Sequence, residues 1–304
     1  MTAIVNAMTV DVEDYFHVSA LADSIPRSTW DRQPCRVERN TERLLALFAE
    51  HDVRATFFVL GWVAERYPRV VRTIAAAGHE VACHGLTHEL VYEQERDVFY
   101  DQTQRAKTML EDIVQAPVIG YRAASYSIVQ RSLWALDVLV ELGFLYDSSI
   151  FPVRHDRYGI PDAARAPGPV RTPTGRTITE FPLSTLAIGG MRVPVAGGGY
   201  FRLFPYAFTR FALARINARD RLPFIFYLHP WEIDPEQPRI KASWLSRLRH
   251  YTNLDRCEAR LKRLLGSFRF GTAREVLAAS GALPATSARA VGPVGLARAA
   301  GSPI

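Results

Sequence analysis

A parallel α/β fold is the architecture this sequence predicts, and two observations predict it. Short apolar, β-prone runs alternate with amphipathic segments along most of the chain. A cluster of polar side chains able to do chemistry follows the predicted strands directly, at Asp11, His84, Arg122, Asp147 and His229. In parallel βα folds the carboxyl ends of the strands open on one face, where active sites of such folds are assembled. Five clusters on one rim are hard to explain as five independent caps.

Taken in order, Ala7 to Val12 reads as a short strand that runs into the acids Asp11, Glu13 and Asp14. Val37 to Glu50 carries Leu44, Leu45, Leu47 and Phe48 at helical spacing. Ala55 to Leu60 is a buried strand. Pro68 opens a helix over Arg69 to Ala77, and Gly78 stops it. Glu80 to Cys83 is the next strand, Arg96 to Ile113 an exposed helix, and Val118 to Tyr121 a strand. Ser132 precedes a helix over Leu133 to Leu142, Gly143 ends it, and Phe144 to Tyr146 is a strand. From Phe151 to Gly199 prolines and glycines accumulate around two β-like pieces, Thr177 to Phe181 and Met191 to Val195. This stretch reads as an insertion of loops and a hairpin, not as another βα unit. A helix over Tyr206 to Asn217, a strand over Pro223 to Leu228, and helices over Leu254 to Leu265 and Thr272 to Ala279 complete the series. One domain over residues 1–280 and a disordered tail over 281–304 are expected.

Composition narrows the function classes. The chain has 304 residues, 48% of them hydrophobic, which is enough for one large α/β core. Its net charge of +6 favours acidic partners, but no dense Lys/Arg block marks a nucleic-acid interface, and none is expected. Cys35, Cys83 and Cys257 lie far apart, so neither a disulfide framework nor a cysteine zinc site is suggested. Neither a signal peptide nor a membrane span is read in the chain. The expectation is a cytoplasmic protein, with peripheral membrane contact left open.

The stretch Glu80-Val81-Ala82-Cys83-His84-Gly85-Leu86-Thr87-His88 carries the most chemistry. A strand ending at His84 that turns back through Gly85 would bring His88 beside it. Two neutral imidazoles plus one carboxylate would leave a coordination position open on a zinc-like ion, as hydrolysis requires. Taken alone, a His-x-x-x-His pair is weak evidence. Its company on the rim strengthens it.

Five segments give the chain a family likeness: Thr9-Val10-Asp11-Val12-Glu13-Asp14, His84-Gly85-Leu86-Thr87-His88, Gly120-Tyr121-Arg122-Ala123-Ala124-Ser125-Tyr126, Tyr146-Asp147-Ser148-Ser149 and Leu228-His229-Pro230. In content, order and spacing they resemble the NodB-homology polysaccharide deacetylases of carbohydrate esterase family 4. Val12 to His17, Arg154 to Gly159, Gly197 to Arg202 and His229-Pro230-Trp231-Glu232 make the chain similar to the branch found at bacterial exopolysaccharide loci with protein-sorting systems. The resemblance implies a deformed (β/α) barrel of about seven parallel strands, fewer than the eight of a full barrel. It implies one divalent metal, zinc first and cobalt, nickel or manganese as alternatives, and an N-acetylated amino-sugar oligo- or polysaccharide as substrate.

The same resemblance assigns roles. Asp11 matches the general base, Arg122 the residue that orients it, His229 the general acid, and His84 and His88 metal ligands. A backbone N–H near Tyr126 matches an oxyanion donor. The third ligand is Glu13 or Asp14: strand alternation puts Glu13 on the side of Asp11, which favours Glu13. Ala124 stands where the family usually has proline, which frees the loop backbone without removing a reacting group. Asp147, His155, Arg157, Tyr158 and Trp231 are candidates for substrate contact, with Arg154 and Asp156 beside them. His17 is a further candidate for the cleft, while His51, His79 and His250 read as structural. The function expected is metal-dependent N-deacetylation in exopolysaccharide biosynthesis. The alternatives are a hydrolase of another non-peptide carbon–nitrogen or ester bond, and a non-catalytic carbohydrate-binding protein on the same fold.

Overall fold

The computed structural model describes residues 4–283. The tail expected over 281–304 lies outside the described residues from position 284 onward. The first strand, β1 (Val5–Val12), is buried from Asn6 onward because strands flank it on both sides. α1 (Val37–Glu50) turns Leu44, Leu45, Leu47 and Phe48 into the core, as their spacing requires. Next come β2 (Thr56–Val59), α2 (Gly61–Arg66), α3 (Pro68–Ala76) and β3 (Glu80–Cys83). Pro68 occupies the first helical turn, where a missing N–H breaks no bond, and Gly78 leaves the helix at φ +79°. The alternation continues through α4 (Arg96–Val114), β4 (Gly120–Tyr121), α5 (Trp134–Glu141) and β5 (Tyr146–Asp147).

Four short strands follow: β6 (Gly168–Arg171), β7 (Thr177–Glu180), β8 (Thr185–Ile188) and β9 (Met191–Pro194). The chain then forms α6 (Gly198–Leu203), α7 (Tyr206–Arg215), β10 (Ile225–Leu228), α8 (Trp244–Tyr251), α9 (Leu254–Leu265), β11 (Arg269–Gly271) and α10 (Ala273–Ala279). Thr272 caps α10 in a reciprocal box with Glu275, an arrangement worth about 1 kcal/mol.

The main sheet runs β10-β1-β2-β3-β4-β5-β7-β6, and β11 pairs with the first half of β1. From β10 to β7 every pairing is parallel, which gives the seven-strand deformed barrel. β6 joins antiparallel at the edge. Between β7 and β10 the wall is completed by irregular chain: the Ile225 N–H donates to Ser184 Oγ at 2.9 Å, and the Tyr227 N–H donates to Ala196 O at 2.8 Å. Gly197, at φ +133°, makes this seam possible, because a Cβ there would overlap the Tyr227 carbonyl. The glycines at 197 to 199 thus admit neighbouring backbone and side chain at the seam.

Two expectations change. Thr177–Glu180 belongs to the main sheet, paired with β5 through Tyr146–Thr179 and Asp147–Glu180, so the segment 151–200 supplies a barrel strand as well as loops. The α7 helix ends in a π turn over Ile216–Asp220 and does not run on as α-helix to Asn217. Among the described residues no helix is long and apolar enough to cross a membrane.

Candidate metal centre and active site

The centre is built where β1, β3, β4 and β10 end. β1 stops at Val12, and the Glu13 N–H turns back to Asp11 O at 3.0 Å. Both carboxylates are almost fully buried on the barrel rim. Asp11 Oδ1 accepts from Arg122 Nη1 at 2.6 Å. Arg122 is itself fully enclosed: it donates to Thr9 Oγ1, Ser148 O and Ser148 Oγ, and its guanidinium lies 4.1 Å from the centre of the Phe58 ring. A buried ion pair persists only when its remaining donors are also satisfied, and here they are.

After β3, Gly85 at φ +75° and His88 at φ +54° fold the chain back so that the two imidazoles meet at 5.5 Å between ring centres. Each of Glu13, His84 and His88 offers a ligand atom, and these atoms lie within 4.8 Å of one another. Glu13 Oε2 is 2.8 Å from His88 Nε2, yet it is a buried oxygen without a hydrogen-bond donor. His84 Nδ1 donates to Arg122 O at 2.8 Å, which fixes the tautomer and leaves Nε2 as a free base. Burial pushes the His84 imidazole down to about 4, so it is neutral and ready to ligate. Burial also acts to raise Glu13, but His88, His229 and His84 outweigh it and hold the carboxyl well below its usual range. Two imidazoles and one carboxylate that carries an orphaned buried oxygen fit a divalent ion of the zinc type.

Asp14 points elsewhere. Its carboxylate accepts from the Tyr15 N–H at 2.8 Å, from Cys35 Sγ at 3.2 Å and from the Arg36 N–H, pinning the loop that leads into α1. His17 Nδ1 accepts from the Asp14 N–H at 2.8 Å, and its ring is boxed by Phe16, Trp30 and Trp62, so it packs behind the centre.

His229 follows β10. Its Nε2 lies 3.4 Å from Glu13 Oε1 and 3.9 Å from Asp11 Oδ2, while Nδ1 meets Glu232 Oε1 at 2.7 Å. Glu232 Oε2 accepts from Arg202 Nε at 2.6 Å, and Arg202 is anchored in turn on the carbonyls of Arg249, His250 and Thr252. Burial works to lower His229, but Glu232, Glu13 and Asp11 prevail and push it up to about 9. The imidazole is therefore protonated at neutral pH. Glu232 and Arg202 lie in motifs that carry the likeness to the exopolysaccharide-locus branch, but the sequence assigns neither a role. Their signal was the three-residue spacing His229 to Glu232, which a one-turn 3₁₀ helix closes into contact.

Tyr126 closes another side, its hydroxyl 3.5 Å from Asp11 Oδ2 and its ring packed edge-on against Tyr227, Phe151 and Tyr158. The Tyr126 N–H donates to Ala123 O at 3.1 Å, so that amide is occupied in this structure. No proline stiffens Ala124, but serines pin the loop: Ser149 Oγ accepts from the Ala123 N–H, Ser127 Oγ donates to Ala124 O, and Ser125 Oγ meets Ser19 Oγ at 2.7 Å.

The substrate candidates divide. His155 stacks on Tyr158 at 3.8 Å, and Tyr158 stacks on Phe151 and bonds Tyr200 through their hydroxyls at 2.8 Å, a wall that reaches Tyr126. Arg154 and Arg157 are exposed nearby. Asp147 and Trp231 are not in such positions. Asp147 is fully buried and bonded to Ser149, and burial raises both it and the neighbouring Glu180 above the usual carboxylate range. Trp231 is sandwiched between His229 at 5.1 Å and His250 at 4.3 Å. It packs the acid in place and offers no face to a sugar.

Residues 25–144 match the family model described as polysaccharide deacetylase. That part of the chain is similar to the polysaccharide deacetylases. Residues 148–278 match a second family, described as a domain of unknown function (DUF3473), and that part supplies Arg202, His229 and Glu232. A chitooligosaccharide deacetylase of Sinorhizobium fredii is 50% identical over 100 residues, covering 33% of this chain and 44% of that protein. A peptidoglycan deacetylase of Helicobacter pylori is 31% identical over 112 residues, 36% of each chain. The chain thus spans less than half the length of these relatives. A crystal structure of a Mycobacterium smegmatis protein assigned to the polysaccharide deacetylases superposes with a TM-score of 0.57 at 20% identity, covering 92% of this chain and 93% of that one. Puue allantoinase superposes with a TM-score of 0.56 at 15% identity, covering 92% and 91%. At these identities the structures report the fold alone.

Proposed function

We propose that the chain is a metal-dependent N-deacetylase that hydrolyses the acetamido groups of an amino-sugar polysaccharide, or of its precursor, in exopolysaccharide assembly. The observation that carries this reading is the convergence within one buried rim of Asp11, held by Arg122, of the Glu13–His84–His88 set, and of His229 with its Nδ1 on Glu232. The activities of the chitooligosaccharide and peptidoglycan deacetylase relatives support the substrate class.

The residues divide the work as follows. Glu13, His84 and His88 would hold the ion, which when bound supplies Lewis-acid polarisation of a carbonyl and acidification of water. Asp11 has Oδ1 committed to Arg122, so Oδ2 is the oxygen that takes the proton of the attacking water. Arg122 pairs with that carboxylate and keeps it correctly turned. His229 presents Nε2–H toward Asp11 and Glu13 and gives its proton to the leaving amine. Glu232 holds the Nδ1–H and supports the imidazolium. A substrate glycan would lie along the Tyr126–Tyr158–His155 wall, within reach of Arg157.

Acetate release from N-acetylglucosamine oligomers, with and without a chelator, tests the reading. Turnover that stops on chelation and returns with zinc is expected. Turnover indifferent to chelation would overturn the metal role, and hydrolysis confined to small cyclic amides would overturn the substrate class.

A further inference from the structure

α8 reverses the usual rule for surface helices. A helix that packs on a core buries its apolar stripe, whereas α8 buries His250 and leaves Trp244 75%, Leu248 48% and Leu245 40% exposed. Along the chain from Gln237 to Leu254 the charge has one sign: Arg239, Lys241, Arg247 and Arg249 occur there, and no Asp or Glu does. The helix is not loosely attached. Arg202 takes the carbonyls of Arg249, His250 and Thr252, His250 stacks on Trp231, and the His250 Nε2 is 2.6 Å from Gln237 Oε1. The exposed apolar side chains are therefore presented on a rigid mount.

We propose that α8 and the basic segment leading into it form a docking face for an anionic lipid bilayer. Tryptophan and leucine seated at headgroup depth, flanked by arginine and lysine, is the arrangement by which a surface helix holds to such a membrane. A second copy of the chain fits this face less well, since a two-fold contact through α8 would set the same four cations against themselves. The face borders the cleft. α8 packs beside Ser19–Leu21, whose Ser19 touches Ser125, and Arg249 lies close enough to the Tyr158 and Tyr200 hydroxyls to act on them electrostatically. Docking would bring the catalytic rim to glycans held at the lipid surface, a consequence that rests on the deacetylase reading above.

Flotation of the full chain with vesicles tests the docking independently of any activity. Vesicles of phosphatidylcholine mixed with phosphatidylglycerol are expected to carry the protein up the gradient, and vesicles of phosphatidylcholine alone are not. The W244S/L245S/L248S variant and the K241E/R247E variant should each weaken partitioning roughly tenfold or more, with salt weakening the wild type. All these side chains are exposed, so unchanged circular dichroism and melting will confirm folded variants. The proposal is overturned by absence of binding to the anionic vesicles, or by binding that both variants retain. It is equally overturned by a wild-type dimer that the triple substitution converts to monomer, which would make α8 an interface between copies.

Discussion

At the scale of single residues the centre separates side chains by what they touch. Glu13 and Asp14 are adjacent in sequence and equally buried, yet Glu13 has an oxygen without a donor while Asp14 is saturated by Tyr15, Cys35 and Arg36. Glu13→Gln should therefore weaken zinc binding by about two orders of magnitude or more, measured by competition with a chromophoric chelator. Asp14→Asn should leave zinc binding nearly intact and lower stability instead, and equal losses in both variants would contradict this division. Glu232 makes a second residue-level prediction. Replacing it with Gln keeps the length of the side chain but removes the charge that helps to hold His229 up at about 9. The expected result is a kcat lower by roughly tenfold to a hundredfold with KM little changed, and a basic limb of the pH profile displaced to lower pH. A limb that does not move would show that Glu232 is packing only.

At the scale of elements, what the sequence revealed was what periodicity controls. α1, β3 and α9 lie within the expected bounds because each carries its own apolar spacing and stop signals. β11 has three residues and owes its existence to pairing with β1, and β7 is a sheet strand because β5 lies beside it. No local pattern announces such partners. α8 escaped for the opposite reason, since its apolar residues do not face the core. The same blindness to burial put Asp147 and Trp231 among the substrate contacts. The HGLTH turn and the acids after β1 were legible because ligand spacing is a local property. The seam at Gly197 supplies the element-scale test. Gly197→Ala must accommodate both the positive φ and the Tyr227 carbonyl, so the denaturation midpoint should fall by an amount corresponding to about 2–4 kcal/mol, with the slope unchanged. A change under half a kcal/mol, on the order of an ordinary surface substitution, would mean that the seam is not a structural requirement.

At the scale of the whole molecule the buried titratable groups bias stability toward neutral pH. His84 and His79 lie near 4, His250 near 3 and Glu232 near 2 in the folded chain, all below their usual values. For each, the unfolded chain binds the proton first as pH falls, so the unfolded state is stabilised relative to the folded one by about 1.4 kcal/mol per group for each unit of pH between the two values. Because His229, raised to about 9, loses its stabilising contribution as pH climbs toward 9, stability should be highest near the ordinary histidine value of about 6.5. It should decline as pH drops from about 6.5, with Glu232 adding to the loss between about 4.5 and 2. Chemical denaturation of the metal-free protein across this range measures it, and a flat profile would contradict the burial described for these groups.

These scales meet in the claim that one rim hydrolyses an acetamide through a carboxylate base set beside a metal. The most direct measurement is zinc content and acetate release taken on the same samples of wild type and Asp11→Asn. The account predicts that the variant keeps its zinc, because Glu13, His84 and His88 are untouched, and loses turnover of N-acetylated oligosaccharide by about 10²–10⁴-fold. A variant that retains both its zinc and near wild-type acetate release would contradict it.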